Sequence, residues 1–258
     1  MPTAMVTGAS SGIGAAFARR LAADGYRLVL VARNRSRLDD DRATLRAAGA
    51  PGVEILGADL TDRAARLDVC ARLTDAEIPV DLLANNAGMG LGKDFLAATQ
   101  RELVDQLELN VTAVMALTHA ALPGMVARHR GGVINIASIA GMLPGRGSTY
   151  SASKAWVTSF TEGIAMSLQG TGVRMVAVCP GFVRTEFHQR ADIDMTGTPG
   201  FLYTDVNTVV EQALSALRAG RTVVVPGGLY KALAAAAKMA PRALVRKVAY
   251  RYERARRR

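Results

Sequence analysis

Seven short apolar runs alternate along this chain with longer stretches of helical spacing, and that alternation restricts the fold more than any other feature. The runs are Thr3–Thr7, Arg27–Ala32, Val53–Ala58, Val80–Ala84, Gly132–Ala137, Arg174–Cys179 and Thr222–Val225. The amphipathic stretches are 12–24, 34–48, 61–77, 99–129, 149–169 and 205–219. Strands separated by helices of ten or more residues predict βαβ units and a parallel sheet. The runs are continuous in apolar residues, as in Leu28-Val29-Leu30-Val31. Strands covered on both faces by helices read that way. The expectation is α/β: one doubly wound, seven-stranded parallel sheet with helices on both faces, over residues 1–230.

The chain has 258 residues, half of them hydrophobic, which suffices for one large domain. No repeat or low-complexity linker divides it. Cys70 and Cys179 show neither metal spacing nor a disulfide framework. His119, His129 and His188 form no ligand pair, so no metal is expected. The first run begins at Thr3, leaving no room for a secretory signal, and no 18-residue apolar run free of charge is evident. A cytoplasmic protein without a spanning helix is expected.

The net charge of +10 is unevenly spread. Residues 231–258 hold ten Lys or Arg and one acid, so the first 230 residues carry only +1. After Pro241, Leu244, Val245, Val248, Ala249 and Tyr252 fall at helical spacing among arginines and lysines. That pattern predicts a basic amphipathic tail. Docking on the domain, peripheral contact with an anionic membrane, and nonspecific nucleic-acid binding are its open uses. No specific nucleic-acid partner is expected. Residues 182–204 break the alternation with mixed Phe, Gly, Pro and Asp, and an irregular segment of this length is usually functional.

The first run passes directly into Thr7-Gly8-Ala9-Ser10-Ser11-Gly12-Ile13-Gly14, and a helical stretch follows. Gly8 permits a tight turn, Gly12 a close backbone approach to a pyrophosphate, and Gly14 close helix–strand packing. The helix N-terminus offers free N–H groups to an anion. Further on, Tyr150 and Lys154 are spaced i, i+4 and share a helix face. An ammonium about 4 Å from a phenolate stabilises it by about 4 kcal/mol at an effective dielectric near 20. That would bring a tyrosine from its usual pKa of about 10 down towards about 7, within reach of acid–base work.

Taken in order, the motifs resemble the short-chain dehydrogenase/reductase family in its single-domain form. They are Thr7 to Gly14, Asp59-Leu60, Asn85-Asn86-Ala87-Gly88, Asn110, Ser138, Tyr150-x-x-x-Lys154, and Pro180-Gly181 with Thr185. The resemblance covers about residues 3–226. The Ser138 to Tyr150 spacing is one residue shorter than is commonest in the family, within the glycine-rich stretch 141–147. The resemblance implies a Rossmann-type sheet and hydride transfer between a nicotinamide and a carbonyl or alcohol. Tyr150 would exchange the proton and Ser138 would hold the substrate oxygen. Lys154 would lower the Tyr150 pKa and bond the nicotinamide ribose, and Asn110 would hold a water linking Lys154 to solvent. It further implies cofactor contacts from Gly8, Ser10, Ser11, Gly12, Ile13 and Gly14. Asp59 and Leu60 would meet the adenine. Asn85, Asn86, Ala87 and Gly88 would line the ribose side, with Pro180, Gly181, Val183 and Thr185 near the nicotinamide.

NAD-dependent members usually place an acid after the second strand to bind the ribose hydroxyl. Here Ala32 stands there and Arg33 follows. An arginine attracts a 2′-phosphate, so NADP(H) is favoured, with NAD(H) as the alternative. Met89, Leu91, Met142, Leu143, Phe182, Phe187 and Phe201, with Ser138, are the candidate substrate residues. Their apolar character points to a hydrophobic ketone or aldehyde: a 3-oxoacyl chain, a steroid-like ketone or a xenobiotic carbonyl. The family's usual contacts imply a homo-dimer or homo-tetramer. A non-catalytic dinucleotide sensor, or a scaffold acting through the basic tail, is the rival reading. All four catalytic positions are filled, which argues against it.

Overall fold

The structure is a computed structural model that describes residues 1–142 and 148–239. Seven strands build one parallel sheet: β1 (Thr3–Thr7), β2 (Arg27–Ala32), β3 (Val53–Gly57), β4 (Leu82–Asn85), β5 (Gly131–Ile136), β6 (Val173–Val178) and β9 (Val223–Val224). Their order is β3-β2-β1-β4-β5-β6-β9. The chain runs outward from β1 to β3, then returns to the other side of β1 at β4. The strand order therefore reverses between β1 and β4, and ligands of open α/β sheets bind outside the strand ends at such a point.

The helices are α1 (Gly12–Ala23), α2 (Arg35–Ala47), α3 (Arg63–Leu73), α4 (Gln100–Leu107), α5 (Ala113–Ala127), α6 (Ser148–Ser167), α7 (Phe187–Arg190), α8 (Val206–Arg218) and α9 (Gly228–Met239). They cover both faces of the sheet. On one side Phe17 and Leu21 of α1 and Val209, Val210 and Ala213 of α8 pack on Ala4, Val6, Leu28 and Leu30. On the other, Leu117, Ala121 and Met125 of α5 pack with Met5, Val29, Leu83 and Val133. Alternate residues of β1 thus enter opposite cores, as the pleat requires, which explains the unbroken apolar runs.

Three features differ from the expectations. The stretch 100–127 is one helix long and apolar enough to cross a membrane by length and composition. Its α5 half instead supplies the second core, which accounts for its hydropathy. The irregular segment contains β7 (Phe182–Val183) and β8 (Tyr203–Thr204), a two-stranded parallel ladder that ties together its two ends. The last described helix, α9, begins at Gly228, so the boundary expected at residue 230 falls inside a helix. The amphipathic stretch expected after Pro241 lies outside the described residues.

Candidate active site

Loops beyond the strand ends surround a cleft of about 1860 Å³. A drug-sized ligand takes roughly 300–1,000 Å³, so this volume accommodates a dinucleotide and a second molecule together. Of the expected cofactor residues, all but Gly14 and Asn85 line it. Gly14 lies beneath the cleft. A Cβ there would sit 2.2 Å from the Gly8 carbonyl oxygen and 2.5 Å from Asn86 Nδ2, so only glycine lets α1 start so close to β1. Gly12 has φ +55, and its Cβ would meet the Thr185 side chain at 2.9 Å. Its smallness therefore also serves the loop that follows β6.

The other wall of the turn is fixed by Thr7, the first residue of the motif, for which the sequence suggests no role of its own. Thr7 Oγ1 accepts hydrogen bonds from the backbone N–H groups of Asn86 and Ala87, both at 3.0 Å. Asn86 Nδ2 donates back to the Thr7 and Gly8 carbonyls at 2.9 and 3.2 Å. These bonds join the ends of β1 and β4 at the switch point. Helices α2, α3, α4 and α8 are capped by Asn34, Asp62, Thr99 and Asp205, whereas α1 has no side-chain cap. Its first N–H groups face the cleft and are available to an anion. The cradle fits the pyrophosphate of a nicotinamide dinucleotide.

Asp59 Oδ1 accepts from the N–H and hydroxyl of Thr61, and the Leu60 carbonyl accepts from Arg66. Both expected adenine residues are thereby held at the end of β3. Arg33 is exposed beside the cleft and makes no ion pair among the described residues. Arg37, one turn later, forms a two-pronged bond to Glu186, which also takes Arg190. Asn85 does not line the ribose side. It is buried, and its Nδ2 donates to Thr118 and Asn135, because the β4 pleat turns it into the second core.

At the far end of the cleft, α6 presents Tyr150, Ser153 and Lys154. The Tyr150 hydroxyl hydrogen-bonds to Ser138, which follows β5. Ser138 Oγ also accepts from the Ala140 N–H at 3.1 Å. Lys154 is buried, and its Nζ donates to the Ile136 carbonyl at 2.8 Å. The ammonium lies 5.8 Å from the centroid of the Tyr150 ring. The expected lowering of the tyrosine pKa is not what this geometry produces. Burial pushes the Tyr150 hydroxyl up to about 12, against the pull of the Ser138 bond. Lys154 is lowered to about 8, by burial first, with Cys179 acting in the opposite direction. Deep protein surroundings disfavour both charged forms, and the lysine is turned to a carbonyl instead of the phenol.

Asn110 sits in a single π-helical turn, Glu108–Thr112, between α4 and α5. Such turns often mark functional positions. Asn110 Oδ1 accepts from the Met89 N–H at 2.9 Å, and its Nδ2 donates to the Met89 carbonyl at 2.9 Å and to Ser153 at 3.3 Å. Ser153 in turn donates to the Tyr150 carbonyl at 2.7 Å. Asn110 therefore connects the loop after β4 to the tyrosine helix.

A model of the short chain dehydrogenase family matches residues 2–196. The chain belongs to that family. It is an oxidoreductase of a class that binds nicotinamide cofactors and acts on small carbonyl or alcohol substrates. Among curated relatives of this short-chain dehydrogenase, "Granaticin polyketide synthase putative ketoacyl reductase 1" from Streptomyces violaceoruber is 40% identical over 192 residues. That match spans 73% of this chain and 70% of the relative. A short-chain dehydrogenase from Sphingobium yanoikuyae, solved with NADPH, is 37% identical with a TM-score of 0.84, over 92% of this chain and 94% of that one. A further family member from Burkholderia phymatum, solved with NAD, is 27% identical with a TM-score of 0.79, over 90% of this chain and 91% of that one.

Met89, Leu91, Phe182 and Phe187 of this dehydrogenase line the cleft near Tyr150, as expected of substrate residues. Phe187 lies 5.8 Å from the Tyr150 ring, centroid to centroid. Two readings are corrected. Met142 packs on the buried cluster of Val114, Ala137, Val157 and Cys179 and does not line the cleft. Phe201 is 75% exposed, because its short turn directs Leu202 inward instead. Leu143 lies outside the described residues. His188, Leu202 and Tyr230 line the cleft without having been singled out in the sequence.

Proposed function

We propose that this protein is an NADP(H)-dependent reductase of bulky apolar ketones, with the reverse alcohol oxidation available. The observation that carries the reading is the Tyr150–Ser138 hydrogen bond at the aromatic end of the cleft, with buried Lys154 behind it. A bound nicotinamide supplies the hydride. Ser138 orients the carbonyl oxygen and Tyr150 donates its proton to that oxygen. A tyrosine held at about 12 is fully protonated at neutral pH, which is the state a reductase needs. Lys154, at about 8, still carries its charge at pH 7 and favours the developing tyrosinate. Exposed Arg33, which makes no ion pair among the described residues, supports a preference for the 2′-phosphate. The rings of Tyr150, Phe187, Phe182 and His188 support an apolar substrate, including the 3-oxoacyl and steroid-like classes.

A panel of hydrophobic ketones and acyl thioesters, followed by NADPH absorbance, tests the reading. Tyr150→Phe should bind NADPH normally and lose most turnover; comparable kcat in that variant refutes the role given to Tyr150.

Val104, Leu107 and Met115 are exposed along the α4–α5 helix, and Met166 on α6. These apolar side chains support a homo-dimer or homo-tetramer, which light scattering on the purified protein would read directly. Contact of the basic tail with an anionic membrane remains a proposal. Its test is liposome co-sedimentation of the full chain against residues 1–239, a truncation that keeps α9.

A further inference from the structure

Tyr230 projects from the first turn of α9 and is 7% exposed. Its hydroxyl donates to the Leu202 carbonyl at 2.7 Å. Its ring lies against Gly181, where a Cβ would stand 2.1 Å from the ring. It also meets Phe182 edge-on, at 80° and 6.4 Å between centroids. One side chain thus joins α9, the turn after β6 and the far end of the irregular segment. Tyr230, Leu202 and Leu233 all line the cleft.

Gly181 and Phe182 lie three and four residues beyond the end of β6, close to Ser138: the Ile139 N–H beside it donates to the Pro180 carbonyl at 3.0 Å. The Tyr230 ring therefore stands across the cleft's catalytic end. It belongs to a part of the chain beyond residue 196, where the match to the family model stops.

Resting on the reductase reading, we propose that Tyr230 is a specificity-determining residue. Its ring sets the size limit for the smaller ketone substituent, and its bond to Leu202 holds the wall in place. The smaller substituent admitted is compact and apolar, below the size of an aryl ring, while the larger one is not limited by this wall. Shortening the side chain removes the ring that closes the cleft on this side and frees Leu202.

The test compares acetophenone with benzophenone, which differ by one phenyl group on the same carbonyl. Tyr230→Ala should shift the ratio of kcat/KM at least tenfold towards benzophenone, while NADPH affinity stays within twofold. The same ratio, read as Kd for the two ketones in Tyr150→Phe and Tyr150→Phe/Tyr230→Ala proteins loaded with NADPH, does not depend on turnover. Tyr230→Phe, which keeps the ring, should leave the ratio near wild type and raise amide hydrogen exchange at residues 202–204. Ratios unchanged within twofold in the folded Ala variants overturn the proposal. Absence of turnover with an intact shift in the Kd ratio would count against the reductase reading and for the role of Tyr230.

Discussion

Asn110 holds Met89 by both of its backbone groups, accepting from the N–H and donating to the carbonyl, each at 2.9 Å. The loop after β4 is one wall of the catalytic end, so this clamp sets the position of the substrate as well as the fold. Asn110→Leu keeps the branching of the side chain, leaves the Met89 N–H unpaired and leaves the Met89 carbonyl only the longer bond from Gln106 Nε2, at 3.4 Å. Lost bonds and orphaned buried groups of this kind together cost about 2–3 kcal/mol. Urea unfolding should show that loss, and KM for the ketone should rise. A variant as stable as wild type, with unchanged KM, would remove the clamp from the account.

The two shifted groups give the reaction a pH dependence of definite sign. Reduction needs protonated Tyr150, and at about 12 that condition holds through the neutral range. Lys154 loses its charge as pH rises through about 8, and with it the support for tyrosinate. Reductive kcat/KM for NADPH, which reports the free protein, should be flat below pH 8 and fall above it. A reduction rate that climbs between pH 8 and 10 would contradict this ordering.

Lys154 also links stability to pH. The folded lysine releases its proton near 8, whereas an unfolded one keeps it to about 10.4. Between those values the unfolded chain binds more protons, so the fold gains stability as pH rises and carries the cost of a buried charge below 8. Lys154→Met removes that cost but orphans the Ile136 carbonyl, a net gain of roughly 2 kcal/mol. The variant should therefore be inactive yet more stable than wild type at pH 7, with the advantage shrinking by pH 10.5. Equal unfolding free energies across that range would mean that the buried charge is compensated.

How much of this was legible in the sequence depended on how local each cause is. The ends of β1 and β2 coincide with their apolar runs residue for residue, because a strand buried on both faces leaves no ambiguity. The glycine turn, Ser138, Tyr150 and Lys154 stand at strand ends, where short motifs carry the chemistry. Tyr230 depends on Gly181, 49 positions earlier, and no local period announces it. Phe201 and Leu202 are adjacent apolar residues, and only the direction of their turn decides which faces the cleft. The spacing misjudges the Tyr150 pKa because it gives the shared helix face but neither the burial that raises the phenol nor the carbonyl of Ile136 that takes up Lys154.

The glycines allow a paired test of close approach. Gly14→Ala forces a methyl group to 2.2 Å from a backbone oxygen, so α1 or the turn must move. Overpacking of this sort costs about 1–3 kcal/mol, and NADPH affinity should fall with it. Gly163, exposed within α6, has nothing within 4 Å of its missing Cβ. Alanine there should raise stability by about 0.5–1 kcal/mol and leave NADPH binding alone. Thermal melts and cofactor titrations of both variants check the contrast; similar effects at the two sites would mean that the turn tolerates the methyl group.

The proposed preference for NADP(H) rests on the exposed guanidinium of Arg33. Arg37 is committed to Glu186, and Ala32 offers no charge, so Arg33 is the cation at the end of β2 able to meet a 2′-phosphate. A charge-assisted bond of this kind is worth about 1.5–3 kcal/mol, or roughly 10- to 150-fold in Kd. Arg33→Ala should weaken NADPH binding by that factor and leave NADH within twofold, because NADH lacks the phosphate. Ala32→Asp adds a repelling carboxylate beside the same site and should push the preference further towards NADH. Fluorescence titration of both dinucleotides with both variants decides the matter. Wild-type protein that binds NADH as tightly as NADPH, or an Arg33→Ala variant that weakens both equally, would assign Arg33 to the solvated start of α2 instead.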